Sequence, residues 1–249
     1  LNGLMCANAK VVWRKHKTGE MGSHIWAPEL HRINDKWYIY FTAGDSEQIW
    51  DIRPYLLECS GNDPMSDDWT ERGRIILPEE SFSLDMTTFV HKGLQYCAWA
   101  QKGREYDGAS VIYLSRMKDP HTLDGEPILL TAPEYDWECQ GFKVNEGPAA
   151  LIRNGKVIIT YSASDTGWRY CMGMVWADEN ANLLDKASWH KSSKPVFKTS
   201  VENGQYGPGH NCFTVDGERD VMIYHSRNYK EINGDPLDDP NRHARAKVF

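Results

Sequence analysis

Short apolar segments, rich in β-branched and aromatic residues, alternate along this sequence with two-residue turns. Four stretches share one order: an apolar strand, a tight turn and a second strand with several aromatic side chains. The turn residues are of types that tolerate the positive φ of a hairpin turn. The pattern predicts four β-hairpins, at residues 26–41, 84–99, 145–161 and 209–225, with turns at Asn34-Asp35, Lys92-Gly93, Asn154-Gly155 and Asp216-Gly217.

The hairpins recur at a nearly constant spacing, since their second turn residues are 58, 62 and 62 positions apart. Four antiparallel strands repeated at this period are typical of β-propeller blades, whereas a β-sandwich would give short strands without such a repeat. The sequence therefore predicts an all-β propeller in a single domain over residues 1–249. The outer strands after the first three hairpins are expected to begin near Tyr55, Val111 and Cys171 and to end with Arg74–Leu77, Pro127–Leu130 and Pro195–Phe197.

Composition narrows the classes of partner. The chain has 28 Lys and Arg against 35 Asp and Glu, a formal net charge of −7, which argues against nucleic acid or an anionic membrane surface. No apolar stretch approaches the roughly 18 residues of a membrane span. The 10 Trp, 12 Tyr and 7 Phe are typical of a β structure, of a pocket that stacks on sugars, or of both.

The six cysteines give no sign of a metal or redox motif, because no two have the C-x-x-C spacing. Most lie in apolar strand segments, as Cys97 does between Tyr96 and Ala98. We interpret them as buried thiols rather than as a disulfide framework.

One ionisable group precedes the turn in each hairpin. The innermost strand of every propeller blade lines the central channel, so groups near the same end of these strands converge. Taken singly, each group has an ordinary interpretation as a strand cap, a turn residue or a solvated side chain. Their recurrence favours one shared site, formed by Glu29, Asp85, Glu146 and His210.

The chemistry of that site is narrowed by the motifs that are missing. The sequence has no G-x-S-x-G elbow, no H-E-x-x-H helix, no Walker loop and no G-x-G-x-x-G segment. Carboxylates that face one another beside aromatic rings suit cleavage of a glycosidic bond, in which one carboxylic acid protonates the leaving oxygen.

Four segments of this sequence resemble the inner-strand motifs of glycoside hydrolase family 43, in the same order and with similar spacing. They are Trp26-Ala27-Pro28-Glu29, Ser83-Leu84-Asp85, Asn145-Glu146-Gly147-Pro148 and Gly209-His210-Asn211. The similarity extends over residues 11–249. It implies a five-bladed propeller that acts on arabinose- and xylose-containing polysaccharides.

The resemblance also implies a role for each matching residue. Glu146 would be the general acid, and Asp85 the carboxylate that raises its pKa and orients it. His210 would be a ligand of a central ion, usually calcium, whose other ligands are mostly waters. Calcium is therefore the cofactor that the resemblance implies.

The substrate would be held by residues outside this catalytic pair. Trp26 is expected to offer its ring to an apolar sugar face, and Glu29 matches a pocket position of the family. Arg242, after a loop rich in Gly, Asp and Pro, resembles an arginine that contacts the terminal sugar; a solvated loop residue is the alternative interpretation.

The expected reaction is exo-acting and inverting, with release of α-L-arabinofuranosyl residues. A β-xylosidase is a close alternative, because the two sugars share the ring region that the pocket contacts. A sugar-binding propeller without catalysis is a second alternative. A protein-interaction propeller is a third, which would need no inward carboxylates.

The sequence departs from the family pattern at its start. The family's general base is an Asp of the first blade, ahead of the Trp26 motif. Here the only acidic residue before Trp26 is Glu20. We therefore expect the base to lie outside this chain, the first blade to be incomplete with Leu1–Lys17 at its outer end, and both ends of the domain to be truncated.

Overall fold

Each predicted hairpin forms the inner half of an antiparallel sheet in the computed structural model, which describes residues 9–66 and 68–249. Successive strands along the chain pair with one another, so each sheet is a meander that starts at its inner strand. The strands are β1 (Ser23–Ile33), β2 (Lys36–Gly44), β3 (Arg53–Cys59) and β4 (Trp69–Arg74); β5 (Ser83–His91), β6 (Leu94–Lys102), β7 (Ser110–Asp119) and β8 (Thr122–Thr131); β9 (Asn145–Arg153), β10 (Lys156–Ala163), β11 (Cys171–Asp178) and β12 (His190–Lys191); and β13 (Tyr206–Asp216), β14 (Arg219–Arg227) and β15 (His243–Val248).

The sheets of residues 9–66 and 68–249 are arranged as four blades of a propeller, which confirms the all-β prediction. The inner strands adjoin in order, β1 with β5, β5 with β9 and β9 with β13. Within the described residues, β13 and β1 make no comparable contact, so the fourth blade is not packed on the first as the other neighbours are. Helical structure in this part of the chain is limited to single 3₁₀ turns, none of which could cross a membrane.

Apolar side chains fill the spaces between neighbouring blades. Tyr40, Leu56, Met86 and Trp99 are buried together between the first and second blades. The second and third blades share a larger cluster that includes Leu114 and Tyr161, among others. Because each interface joins faces of two sheets, removing water from these side chains stabilises the order of the blades.

Three of the four predicted hairpin turns form as expected. Both residues of Asn34-Asp35, Lys92-Gly93 and Asn154-Gly155 have positive φ, as in a type I′ turn. The fourth turn differs by one residue: Asp216 pairs with Arg219, so the loop is Gly217-Glu218. Gly217 supplies the positive φ, 65°, in this turn.

The prediction of the outer strands was less accurate. Pro127–Leu130 lies within β8, but β4 ends at Arg74 and β12 covers only two residues, His190 and Lys191. Residues 9–22 form no strand; Trp13 instead packs on Phe41 of β2, with ring centroids 5.1 Å apart. The part of Leu1–Lys17 that lies within the described residues is therefore not an outer strand, and residues 1–8 lie outside them.

The described cysteines agree with the interpretation as thiols. None of them forms a disulfide, and Cys59, Cys97 and Cys171 are buried. Cys139 is half-buried and Cys212 is exposed, while Cys6 lies outside the described residues.

A buried ion pair fixes the start of β9. Glu138 is fully buried, and its carboxylate accepts hydrogen bonds from the Lys191 ammonium at 2.9 Å and the Tyr161 hydroxyl at 2.9 Å. It also accepts from the Asn145 side-chain amide at 3.0 Å and from the backbone N–H groups of Glu134 and Tyr135. The network ties Asn145, the first residue of β9, to the connection that precedes it.

We predict that Glu138→Ala lowers the free energy of unfolding by about 3–5 kcal/mol, because it leaves the Lys191 ammonium poorly solvated and without its main partner. Glu134→Ala is the matched control: Glu134 lies 3.6 Å from the same ammonium, but its side chain is 57% exposed. Its removal should cost less than about 1 kcal/mol. Urea unfolding followed by tryptophan fluorescence measures both, and equal losses would contradict the role given to Glu138.

Candidate active site

A β-bulge interrupts the inner strand of every described blade at the same place. Two residues there oppose a single aromatic residue of the next strand, and the first of the two has positive φ, between 44° and 56°. The pairs are Ala27-Pro28 opposite Phe41, Asp85-Met86 opposite Trp99, Gly147-Pro148 opposite Tyr161, and His210-Asn211 opposite Tyr224. Bulges of this kind bend a strand and redirect its side chains, and they are over-represented beside active sites.

The bulges align the inner strands residue by residue. Asp85 and His210 both occupy the first bulge position, where positive φ is uncommon for residues other than glycine. Glu146 lies one residue earlier, before Gly147, and Glu29 lies two residues after Ala27. The recurrence along the sequence had suggested one equivalent position for the four ionisable groups. They instead lie near the same end of their strands, but at positions up to two residues from the first bulge position.

The Asp85 carboxylate joins three of these strands. Its Oδ2 accepts a hydrogen bond from the Gly147 N–H at 3.0 Å and lies 3.9 Å from Nδ1 of His210. The Asp85 N–H donates to the Thr42 hydroxyl at 3.0 Å. Glycine suits position 147, since a Cβ there would lie 3.2 Å from the His210 ring, a tight contact, on a backbone with φ of 54°.

Glu146 has the environment of a proton donor. Removal from water, and next the negative charge of Asp85, raise the pKa of Glu146 to about 7, whereas a hydrogen bond from Tyr170 opposes the rise. Burial also raises the pKa of Asp85, but His210 and the Gly147 N–H both favour its ionised form. We therefore expect Glu146 to hold its proton more readily than Asp85. A protonated carboxyl group within electrostatic range of an ionised one can support acid catalysis near neutral pH.

Arg242 lies just before β15 and acts on both carboxyl groups, since its positive charge lowers the pKa of Glu146 and of Asp85. Glu29 also acts on Asp85 through its charge, and its carboxylate is bonded to the His31 ring at 2.7 Å. The structure thus brings Arg242 and Glu29 within electrostatic range of the carboxyl pair.

Trp26 belongs to a small aromatic group on the first blade. Its ring lies 4.6 Å from that of His24 and 6.2 Å from that of Trp50, which is 54% exposed. Trp26 also packs in the cluster that contains Leu84, the residue before Asp85. The ring is therefore close to the second inner strand.

Sequence reasoning missed two residues that contact this site. Tyr170 donates a hydrogen bond to Glu146 at 2.7 Å, and its ring stacks on His225. Burial and nearby positive charge lower the pKa of His225 to about 3, so its ring is neutral. Neither residue lies in a recognisable motif. His225 is the last residue of the fourth predicted hairpin, whereas Tyr170 lies outside all four hairpins, so the sequence gives no signal for its contact with Glu146.

No three His, Cys, Asp or Glu side chains of residues 9–66 and 68–249 are grouped so as to hold a metal ion. An ion beside His210 would therefore take most of its ligands from water.

Comparison with known proteins identifies the family. The model of glycosyl hydrolases family 43 matches residues 1–249. The chain belongs to glycosyl hydrolase family 43. The resemblance that the four inner-strand motifs indicated is thereby confirmed.

Two relatives in the family carry the same description, extracellular exo-α-(1→5)-L-arabinofuranosidase. The protein from Streptomyces avermitilis is 52% identical over 252 residues, which cover 100% of this chain and 52% of that protein. The protein from Streptomyces chartreusis is 54% identical over 238 residues, which cover 95% of this chain and 73% of that protein. The chain thus spans about half of one relative and about three quarters of the other.

A solved structure in the family has a closely similar fold. It is described as an α-L-arabinofuranosidase from Lactobacillus brevis and is 50% identical, with a TM-score of 0.91. The match covers 96% of this chain and 77% of that one. The blade arrangement described above is therefore also found in a related protein.

Proposed function

We propose that this chain provides the acid catalyst of an exo-acting, inverting glycoside hydrolase that releases α-L-arabinofuranosyl residues from arabinose- and xylose-containing plant polysaccharides or oligosaccharides. The observation that carries the proposal is the carboxyl pair Glu146 and Asp85, with the pKa of Glu146 raised to about 7. The descriptions of the related proteins support arabinofuranose as the sugar that is released.

In this mechanism Glu146 donates its proton to the glycosidic oxygen as the bond to the sugar breaks. Asp85 keeps that proton on Glu146 at neutral pH through its charge. Inversion requires a second carboxylate about 6.5–9.5 Å away, which activates a water on the opposite face of the sugar. We assign that role to an Asp on an inner strand of a further blade.

A fifth blade would bring this base into the channel between the fourth and first blades. Within the described residues, β13 and β1 do not adjoin as the other successive inner strands do, which supports this position. Val248 lies on the face of the fourth blade that points away from the third blade, since it pairs with Val221 rather than with Met222. Val248 is 41% exposed, and a further blade would cover it.

The sugar pocket in this proposal is formed by Trp26, Glu29 and Arg242. The Trp26 ring stacks on an apolar face of the sugar, as aromatic rings do in other sugar sites. Arg242 and Glu29 offer a donor and an acceptor for sugar hydroxyl groups. The positive charge of Arg242 beside Glu146 and Asp85 supports its place at the terminal sugar.

His210 would hold a central calcium ion together with waters. Its position beside the Asp85 carboxylate supports this role, since a hard cation prefers a site with a carboxylate nearby. The ion would stabilise the ends of the inner strands and help to keep Asp85 ionised.

The first prediction of this proposal concerns the acid. The full-length protein, which carries the base as well as this chain, should release nitrophenol from aryl α-L-arabinofuranosides. Glu146→Gln should lower its turnover of arabino-oligosaccharides roughly 10²–10⁴-fold. Aryl substrates with a good leaving group should lose much less, because their leaving oxygen needs little protonation. Steady-state kinetics on both substrate classes measures the difference.

Aryl β-D-xyloside is the comparison substrate in that assay: preference for it would favour a β-xylosidase. Binding of arabino-oligosaccharides without turnover of either substrate would favour a sugar-binding propeller. Glu134→Gln, far more exposed, is the control variant and should change neither rate. Equal losses on good and poor leaving groups would rule out Glu146 as the acid.

The second prediction concerns pH. Activity should fall as pH rises through the pKa of Glu146, because the acid must carry its proton. Asp85→Asn removes the neighbouring negative charge, so the pKa of Glu146 should fall and the basic limb of the pH–rate profile should move to lower pH. An unshifted limb with an unchanged rate would make Asp85 a strand cap only.

The third prediction concerns the ion. A calcium chelator should lower the activity or the melting temperature of the wild-type protein, and calcium should restore it. His210→Ala should abolish this response, since it removes the protein ligand. A wild-type protein that does not respond to the chelator, and that retains no calcium by elemental analysis, would exclude the ion.

A further inference from the structure

Tyr170 is the hydrogen-bond donor to Glu146. It immediately precedes β11, is 1% exposed, and its hydroxyl donates to Oε1 of Glu146 at 2.7 Å. A hydroxyl that donates to a carboxyl oxygen at this distance forms a strong hydrogen bond, and the bond becomes stronger when the carboxyl group is ionised.

The Tyr170 ring is held from two sides. One face stacks on the His225 ring, with centroids 5.6 Å apart and planes 8° from parallel. Gly209 of β13 leaves the space that the ring occupies, because a Cβ there would lie 2.3 Å from Cε1 of Tyr170. The hydroxyl is therefore presented to Glu146 by packing that allows the ring little movement.

The direction of the hydrogen bond is from Tyr170 to Glu146, because the tyrosine hydroxyl donates to Oε1 of that carboxyl group. Ser162 packs beside both residues. It pairs with Glu146 across β9 and β10, and its hydroxyl lies with the Tyr170 ring around Gly209. The Ser162 hydroxyl oxygen is itself occupied, since it accepts the His210 N–H at 2.7 Å.

This direction decides which oxygen of Glu146 carries the acidic proton. Oε1 accepts from Tyr170, so in the protonated acid the proton is on Oε2. When Oε2 gives its proton to the glycosidic oxygen, Glu146 becomes a carboxylate and the bond from Tyr170 becomes charge-assisted. An interaction that strengthens as the proton leaves stabilises the transition state more than the bound substrate.

We propose that Tyr170 is a positioning residue for proton donation: it holds Glu146 with Oε2 toward the leaving group and stabilises the carboxylate formed there. The inference rests on the proposed function, in which Glu146 is the general acid. A structural role alone, in which Tyr170 only fills space between the third and fourth blades, would not distinguish between leaving groups.

The test compares wild type with Tyr170→Phe, which keeps the ring and its stacking and removes only the hydroxyl. On a poor leaving group, such as an arabino-oligosaccharide, kcat should fall roughly 10- to 100-fold, the range for a lost hydrogen bond to a charged group. On 4-nitrophenyl α-L-arabinofuranoside the loss should stay below about threefold, since protonation contributes little there.

Tyr40→Phe is the matched control. Tyr40 is also fully buried, and its hydroxyl donates to the Pro120 carbonyl oxygen at 2.6 Å, away from the carboxyl pair. Loss of the Tyr40 hydroxyl should lower the melting temperature. The ratio of kcat on the arabino-oligosaccharide to kcat on the aryl substrate should stay at the wild-type value. If Tyr170→Phe fails to fold, His225→Leu replaces it, because it removes the ring that stacks on Tyr170. A smaller loss of kcat, again confined to poor leaving groups, is then expected.

Equal losses on the two substrates, or no loss on either, would overturn the role of Tyr170. Failure of the proposed function would look different: wild type would hydrolyse neither substrate, or Glu146→Gln would show no dependence on the leaving group. If Glu146→Gln shows that dependence and Tyr170→Phe does not, the acid stands and the inference is wrong.

Discussion

The hydrogen bond from the Gly147 N–H to the Asp85 carboxylate is the contact on which the site depends. It joins the second and third blades at their bulges, and it satisfies a buried anion without neutralising it. A side chain in place of Gly147 would press on the His210 ring, so the same glycine also sets the approach of the fourth blade. One backbone position thus places residues from three strands around a single carboxylate.

The pKa of Glu146 is set by neighbours that raise it and neighbours that lower it. Burial and the charge of Asp85 favour the protonated acid, whereas Tyr170, His210 and Arg242 favour the carboxylate. A general acid needs both influences, because it must hold its proton before the reaction and be stable without it afterwards. The resulting pKa of about 7 lies near neutral pH, where the proton can be both held and released.

Much of the fold could be predicted from short-range patterns, and the errors have physical causes. Asn154-Gly155 specifies a type I′ turn locally, so the third hairpin formed as expected. In Asp216-Gly217-Glu218 the glycine can serve either of two adjacent loops, and strand pairing selected Gly217-Glu218. Outer strands such as β12 depend on what they pair with at the edge of a sheet, which local sequence does not determine.

In the candidate site, too, the repeated motifs could be predicted from the sequence, whereas contacts that depend on register and tertiary packing could not. The inner-strand motifs placed Asp85, Glu146 and His210 together because the repeat of the blades brings equivalent strands to one channel. The one-residue offset of Glu146 could not be read from the sequence, since it depends on where each bulge falls in the register. Tyr170 reaches Glu146 by tertiary packing, from outside any strand, and an isolated aromatic residue carries no such signal in a sequence.

Two glutamates eight residues apart show why position alone does not define an acid. Glu138 and Glu146 each accept a hydrogen bond from a buried tyrosine hydroxyl. Glu138 has the Lys191 ammonium at 2.9 Å, so its charge is compensated within a closed network. Among the described residues Glu146 forms no ion pair, and the charge with the largest effect on its pKa is the like charge of Asp85. A tyrosine hydroxyl therefore has a different role at each glutamate. At Glu138 it completes a structural ion pair, and at Glu146 it supports a carboxyl group that can release its proton.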